Sequence, residues 1–144
     1  MDKNGFFANF SDDELIMLSN ASTQAKLDAG TTIFSEGDIG NEVFIIESGN
    51  VCIFLDKSGA QETIANLGAG EFFGGKAIFN HDIRGASAKV LSETVLWSVK
   101  KEDFIQLTQD QPVLAAKLAL ILNASKKEQV VTAAGVRLYA YSSI

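Results

Sequence analysis

Ten of the twelve glycines lie between Gly30 and Gly85, and only Gly5 and Gly135 lie outside this stretch. Glycine supplies the conformations that tight turns need, so the middle of the chain is predicted to be dense in turns. Between these turns, short runs of β-branched and aromatic residues recur about every 8–12 residues, which is typical of an antiparallel sandwich or barrel. The predicted strands are 31–34, 43–46, 51–55, 62–65, 87–91 and 94–99.

The two ends of the chain carry helical patterns instead. Ser11 lies three residues before Glu14, which is the spacing of a capping box at a helix start. Pro112 is suited to the first position of a late helix, and the tail beyond Lys126 is compatible with either a helix or an extended chain. The sequence thus predicts one domain over residues 1–144, with a helical N-terminus at 6–28, a β-roll at 29–99 and C-terminal helices at 101–141.

Composition narrows the class of protein. A chain of 144 residues with 47% hydrophobic and 21% charged residues is ordinary for a single folded domain and excludes disorder. The net charge of −6 argues against a nucleic-acid partner, because binding phosphates needs a basic surface. No run of 18 apolar residues occurs, and the acidic start lacks the apolar core of a signal peptide. We expect a cytoplasmic protein without membrane contact.

The chain has one cysteine, Cys52, and one histidine, His81. Cys52 cannot form an internal disulfide, which indicates a reducing compartment. A single histidine is too few for the metal centre of a cupin-like β-barrel enzyme. We therefore expect no metal, no cofactor and no catalytic residues, and predict that the protein is not an enzyme.

One segment has the chemistry of an anion site. Gly74 and Gly75 precede Lys76–Phe79, which can form one turn of helix, and Arg84 follows nine residues after Gly75. Backbone N–H groups approached through glycine bind anions, and the planar fork of arginine suits a phosphate. The alternative is a glycine-rich turn with a surface salt bridge between Arg84 and Asp82. Without further context this second interpretation is favoured.

The wider pattern resembles the cyclic nucleotide-binding domain family, the module of catabolite-type regulators, protein-kinase regulatory subunits and cyclic-nucleotide-gated channels. The resemblance covers about Phe10 to Leu122. Three groups of residues carry it: Ala29 to Asp38 as its entry strand, Phe44 to Val51 as its first hairpin, and Phe73-Gly74-Gly75-Lys76-Ala77 with Arg84-Gly85-Ala86 as its phosphate cassette. It implies a mainly β fold, a double-stranded β-helix or jelly-roll barrel with an N-terminal helix, a short cassette helix and two C-terminal helices.

The resemblance also implies a ligand site. This chain departs from the family pattern in the half of the site that binds the ribose. The family's phosphate-binding arginine is Arg84, whereas the glutamate that binds the ribose 2′-hydroxyl is replaced by Gly75. The expected phosphate and ribose contacts are Gly74, Gly75, Lys76, Ala77, Arg84, Gly85 and Ala86. The family's cyclic-GMP-selective members have a hydroxyl residue two positions after the arginine. That position is Ala86, so cyclic AMP is the favoured ligand.

Two functions follow from this resemblance. The first is a stand-alone sensor that binds a cyclic mononucleotide and acts through a partner protein. Only a short tail follows Lys127 in this sequence, so we expect no DNA-binding domain. The second is a degenerate domain that binds no cyclic nucleotide and serves as a dimerisation or interaction scaffold. The segment Val113–Ala124 is apolar nearly all round, which predicts a homodimer that covers its outer side.

Overall fold

Two four-stranded antiparallel sheets form the centre of the molecule, with helices packed against one of them. The computed structural model describes residues 1, 4–79, 83–124, 130–131 and 137–138. A 3₁₀ helix at Gly5–Asn9 opens the described chain. The helices that follow are α1 (Asp12–Asn20), α2 (Lys76–Phe79), α3 (Lys101–Asp110) and α4 (Pro112–Ala124). The strands are β1 (Thr23–Leu27), β2 (Thr32–Phe34), β3 (Glu42–Ser48), β4 (Val51–Lys57), β5 (Ala60–Leu67), β6 (Phe72–Phe73), β7 (Ser87–Val90), β8 (Thr94–Lys100), β9 (Val130–Val131) and β10 (Arg137–Leu138).

The strand order confirms the predicted jelly-roll class. One sheet has the order β1-β8-β3-β6 and the other β2-β7-β4-β5. Most neighbours in each sheet are distant in sequence, and the pairs are antiparallel. The predicted strands of the middle stretch are all present, and the structure adds β1 and the two-residue β6.

Strand β3 separates two hydrophobic cores. Val43 and Ile45 face the helices, while Phe44 and Ile46 face the space between the two sheets. A strand buried on both faces has a nearly continuous run of apolar residues, which is why this segment is so hydrophobic in the sequence. The helix-side core contains Phe6, Phe7, Phe10, Leu15, Leu18, Val99, Leu107, Leu114, Leu118 and Leu122. The core between the sheets contains Phe34, Ile53, Leu67, Phe73, Ala86, Ala88 and Leu96.

The helical prediction for residues 6–28 is wrong beyond Asn20. The capping box of Ser11 and Glu14 is confirmed, but α1 ends at Asn20 and the chain then forms β1. Strand β1 pairs with β8, with Ala25 opposite Leu96. Its first four residues are all exposed, so its sequence lacks the alternation that indicates a strand. Only the pairing with a strand some seventy residues later determines its structure.

The C-terminal helices also end earlier than predicted. Pro112 begins α4 as expected, but α4 ends at Ala124 rather than near residue 141. Strands β9 and β10 pair with each other, so the extended alternative holds for these four residues. The rest of the tail lies outside the described residues. Within the part of the chain that the structure describes, no helix is long and apolar enough to span a membrane.

Candidate ligand-binding site

Arg84 lies in a segment that backbone hydrogen bonds fix against the loop after β2. Ile83 forms an isolated antiparallel bridge with Ile39. The N–H of Arg84 donates to the carbonyl oxygen of Asp38 at 2.8 Å, and the carbonyl of Arg84 accepts from the N–H of Gly37 at 2.8 Å. These bonds turn the side chain inward, and only 3% of Arg84 is exposed.

The guanidinium of Arg84 connects the cassette to the start of β3. Nη1 donates to the carbonyl oxygen of Gly74 at 3.1 Å, and Nη2 donates to the carbonyl oxygen of Glu42 at 2.7 Å. Its carbon Cζ lies 4.3 Å from the ring centre of Phe34, which is within cation–π range. Nε is buried and has no hydrogen-bond partner among the described residues. The predicted meeting of Arg84 with the Gly74 turn is therefore present in the structure.

Two glycines make room for this guanidinium. A Cβ atom at Gly40 would overlap Nε of Arg84, and one at Gly74 would lie 2.6 Å from Nη1. Gly74 also has a φ of +80°, which L side chains rarely adopt. The pocket that holds Arg84 therefore depends on the absence of side chains at both positions.

The charge of Arg84 is only partly compensated inside the protein. Burial lowers the pKa of Arg84 from its ordinary value, while the nearby carboxylates of Glu42 and Asp38 raise it. Of the ion pairs formed by the described residues, none includes Arg84. The side chain bonds backbone oxygens instead, so a buried cation stands beside the glycine-rich cassette. Such a group can bind an anion.

Gly75, where the resemblance would place a glutamate, is buried and has an ordinary φ. A Cβ atom built there would lie 3.9 Å from Leu122 Cβ and Cδ2 and 3.9 Å from Val43 Cγ2. These are ordinary van der Waals distances, so the backbone does not require glycine at this position. The last turn of α4 covers the cassette at this point, because Leu122 is itself buried.

The other predicted site residues divide by exposure. Ala77 and Ala86 are buried, and Ala86 belongs to the core between the sheets. Lys76 and Gly85 are exposed, so the structure does not bring the Lys76 side chain into contact with Arg84. The alternative interpretation, in which Arg84 is a surface residue, does not hold, because Arg84 is buried. Asp82 and His81 lie outside the described residues.

Three residues that contribute to the site were not predicted from the sequence. Glu42 acts through its backbone carbonyl, which side-chain identity does not signal. Gly40 is required by the guanidinium that packs on it, and Leu122 reaches the cassette only through the packing of α4. Of these, only Gly40 could have been identified from the sequence, because it is a glycine that closely follows the entry strand. Within the described residues, no group of three or more His, Cys, Asp or Glu side chains could hold a metal ion.

Comparison with known proteins agrees with this architecture. Residues 24–111 match the sequence family described as the cyclic nucleotide-binding domain. A cyclic AMP receptor protein of Thermus thermophilus is 36% identical over 100 residues, which are 69% of this chain and 46% of that protein. A cAMP-dependent protein kinase regulatory subunit of Blastocladiella emersonii is 26% identical over 108 residues, 74% of this chain and 27% of that protein. The chain thus spans less than half the length of these relatives.

A solved structure gives the same result. The catabolite activator protein of Thermus thermophilus superposes with a TM-score of 0.71 at 29% identity, over 82% of this chain and 56% of that one. The chain belongs to the cyclic nucleotide-binding domain family.

Proposed function

We propose that this chain is a sensor module that binds a cyclic purine mononucleotide and acts through a partner protein. The cyclic phosphate binds at Arg84, beside the cassette Gly74, Gly75, Lys76 and Ala77, with Gly85 and Ala86 allowing close approach of the ligand. The supporting observation is the buried guanidinium of Arg84 next to Gly74 in a domain of this family. The protein is not an enzyme in this proposal, and it acts in the cytoplasm.

The proposed ligand preference is cyclic AMP over cyclic GMP. Ala86 is buried toward the space between the sheets and has no hydroxyl to bond a guanine amino group. The hydroxyl of the next residue, Ser87, accepts a hydrogen bond from the N–H of Glu36 at 2.9 Å. Successive strand residues point to opposite faces, so Ser87 does not replace the missing group.

Isothermal titration calorimetry with cyclic AMP and cyclic GMP tests the function directly. We expect cyclic AMP to bind, but more weakly than to a family member that keeps the ribose-binding glutamate replaced here by Gly75. A charged acceptor for a buried hydroxyl contributes about 1.5–3 kcal/mol to binding. That corresponds to a loss of about one to two decades in affinity. Tighter binding of cyclic GMP would contradict the preference, and no heat with either nucleotide at millimolar concentration would contradict the function.

The second candidate is a degenerate domain that binds no cyclic nucleotide. The observation that favours it is that two donors of Arg84 are already used, because its guanidinium is hydrogen-bonded to the carbonyl oxygens of Gly74 and Glu42. In this proposal Arg84 is a structural clamp between cassette and β3. The calorimetric experiment separates the two candidates, because only the first predicts heat on addition of nucleotide.

We also propose that the chain is a homodimer through α4. Leu114 and Leu118 on the inner face of α4 are buried in the helix-side core. On the outer face Val113 is 78% exposed and Leu120 is 70% exposed. Two-fold symmetry would bring these apolar side chains against the same face of a second copy and remove them from water.

A further inference from the structure

Three phenylalanine rings form a cluster in the core between the two sheets, and Arg84 lies at its edge. Phe34 comes from β2 in one sheet, while Phe44 and Phe73 come from β3 and β6 in the other and lie opposite each other in register. The ring centres of Phe44 and Phe73 are 5.3 Å apart, and each is 5.9 Å from that of Phe34. The cluster therefore joins both sheets beside the guanidinium.

Small side chains leave space for Phe34 next to Arg84. Ala86 and Ala88 are 1% and 0% exposed, and both belong to the core between the sheets. The pairing of β2 with β7 places Phe34 opposite Ala88. Cζ of Arg84 lies 4.3 Å from the centre of the Phe34 ring and 5.7 Å from that of Phe44. Phe34 is thus the aromatic residue in closest contact with the cation.

The contact with Phe34 compensates part of the buried charge of Arg84. The bonds to the carbonyl oxygens of Gly74 and Glu42 use two of the five N–H donors of the guanidinium, and Nε has no partner among the described residues. The negative face of an aromatic ring attracts a cation, and the attraction is stronger away from water. Since the ring contacts the face of the guanidinium, the N–H donors at its edge are left for other partners.

We propose that Phe34 is a positioning residue for Arg84: its ring holds the guanidinium in the orientation in which the remaining N–H donors can bind an anionic ligand. Phe34 acts through Arg84 and does not itself bind the ligand. The inference rests on the proposed function for the identity of that ligand, a cyclic phosphate. The position of the guanidinium, by contrast, is measurable without any ligand.

Phe54 provides a matched control in the same sheet. It is 6% exposed, compared with 7% for Phe34, and its ring centre lies 4.9 Å from Nζ of Lys89. Lys89 follows the inward-facing Ala88 in β7, so this second cation–π pair lies on the opposite face of the sheet. Phe34→Leu and Phe54→Leu therefore each remove one buried ring from a cation, but only the first removes it from Arg84.

Nuclear magnetic resonance of the arginine Nε–H groups measures the position of Arg84 directly. The chain has only two arginines, Arg84 and Arg137, so Arg84→Lys assigns the signal. In the parent, the buried Nε–H of Arg84 should exchange slowly with water, and the nearby ring should shift its signal. Phe34→Leu should move this signal and speed its exchange, whereas Phe54→Leu should leave it unchanged. An unchanged signal in Phe34→Leu would overturn the proposal.

Calorimetry with cyclic AMP tests the effect on the ligand. Phe34→Leu should bind cyclic AMP about three- to tenfold more weakly than the parent, which is the range expected for loss of a desolvated cation–π contact. Phe54→Leu should bind as the parent does. Equal losses of affinity in both variants would show that the integrity of the β-roll, rather than the contact with Arg84, determines binding.

Fluorination of the ring keeps the test decisive if Phe34→Leu does not fold. A trifluorinated phenylalanine has nearly the shape of phenylalanine, but fluorine withdraws electron density from the ring face and weakens its attraction for a cation. At position 34 it should shift the Arg84 signal and lower cyclic AMP affinity, and at position 54 it should do neither. If the parent binds no cyclic nucleotide, the proposed function fails, and the Arg84 signal alone decides whether Phe34 positions the guanidinium.

Discussion

Arg84 donates to two backbone carbonyl oxygens, and its guanidinium packs on the ring of Phe34. In the proposed function, the same donors bind the cyclic phosphate. Removal of the side chain therefore affects both the folded state and the ligand. The two effects can be separated, because lysine keeps the charge and lacks the planar fork.

The first prediction concerns this residue. Arg84→Ala should lower the free energy of unfolding by about 2 kcal/mol or more, because the carbonyl groups of Gly74 and Glu42 lose a hydrogen-bond donor and a cavity forms over Phe34. Arg84→Lys should fold but bind cyclic AMP at least about tenfold more weakly, since the paired charge-assisted bonds are lost. Urea unfolding and calorimetry provide the two measurements.

The exposed Lys76 is the matched control for charge near the cassette. Lys76→Ala should leave stability within about 0.5 kcal/mol of the parent, as is usual for a surface substitution. Equal cyclic AMP affinity in Arg84→Lys and the parent would place the ligand elsewhere. Unchanged stability in Arg84→Ala would contradict the structural part of its role.

Gly75 carries the second prediction. Its φ is ordinary and a Cβ atom fits, so Gly75→Glu should fold. The new carboxylate lies beside Leu122 and Val43, and burial of a charge in apolar surroundings lowers stability when no ligand is present. With cyclic AMP, the restored acceptor for the ribose hydroxyl should raise affinity by about one decade.

Thermal unfolding with and without cyclic AMP measures both effects on one sample. The melting temperature of Gly75→Glu should lie below that of the parent without ligand, and the ligand-induced increase should be larger. Gly74→Ala is the contrast, since its φ and the nearby Nη1 of Arg84 both oppose a side chain. A weaker affinity in Gly75→Glu would show that the carboxylate does not reach the ligand.

At the scale of elements, helices α1 and α4 are joined by the ion pair between Glu14 and Lys117, and Glu14 is a titratable carboxyl group. The hydrogen bond from Lys117, and next the bond from the Ser11 N–H, hold the pKa of Glu14 below its ordinary value of 4.5. A carboxyl group whose pKa is depressed on folding stabilises the protein above its unfolded pKa. That stabilisation is lost as pH falls through the folded pKa.

The third prediction follows from this direction. The difference in unfolding free energy between the parent and Glu14→Gln should be constant between pH 5.5 and 7, about one unit or more above the unfolded pKa. Below pH 4.5 it should shrink as Glu14 becomes protonated. Urea unfolding at a series of pH values measures it. A difference that grows toward acid would contradict the sign of the pKa shift.

At the scale of the whole molecule, the outer face of α4 determines the expected assembly. Leu120→Asp would place a charge at the centre of a two-fold contact, opposite its own copy, and should convert the dimer to a monomer. Light scattering measures the mass at a protein concentration of about 100 μM. This concentration is well above the dissociation constant of an ordinary stable dimer. This is the fourth prediction.

Ile16 provides the control for the assembly. It is also exposed and apolar but lies on α1, so Ile16→Asp should leave the dimer intact. Leu118→Asp is a different test, because Leu118 is fully buried and the variant should unfold rather than dissociate. A monomeric parent at this concentration would show that α4 has no second copy on its outer face.

The sequence alone determined the elements whose signals are local. The capping box of Ser11 and Glu14, the glycine turns between strands and the Pro112 helix start each depend on residues a few positions apart. The strands of the middle stretch and an antiparallel sandwich or barrel followed from hydrophobic runs at regular spacing, and the jelly-roll form followed from the resemblance to the family. The order of the cassette motif around Gly74 and Arg84 likewise gave the family and the candidate site.

Only the tertiary structure decided the features that depend on distant partners. Strand β1 was predicted as helix because its exposed residues have no periodic pattern, and β8 provides its hydrogen bonds. The inward turn of Arg84 depends on the carbonyl of Glu42, forty-two residues earlier, and on the room left at Gly40. Leu122 reaches Gly75 because the core under α4 fixes the helix there. These contacts join segments far apart in the chain, and backbone atoms carry part of them, so no local pattern of side chains encodes them.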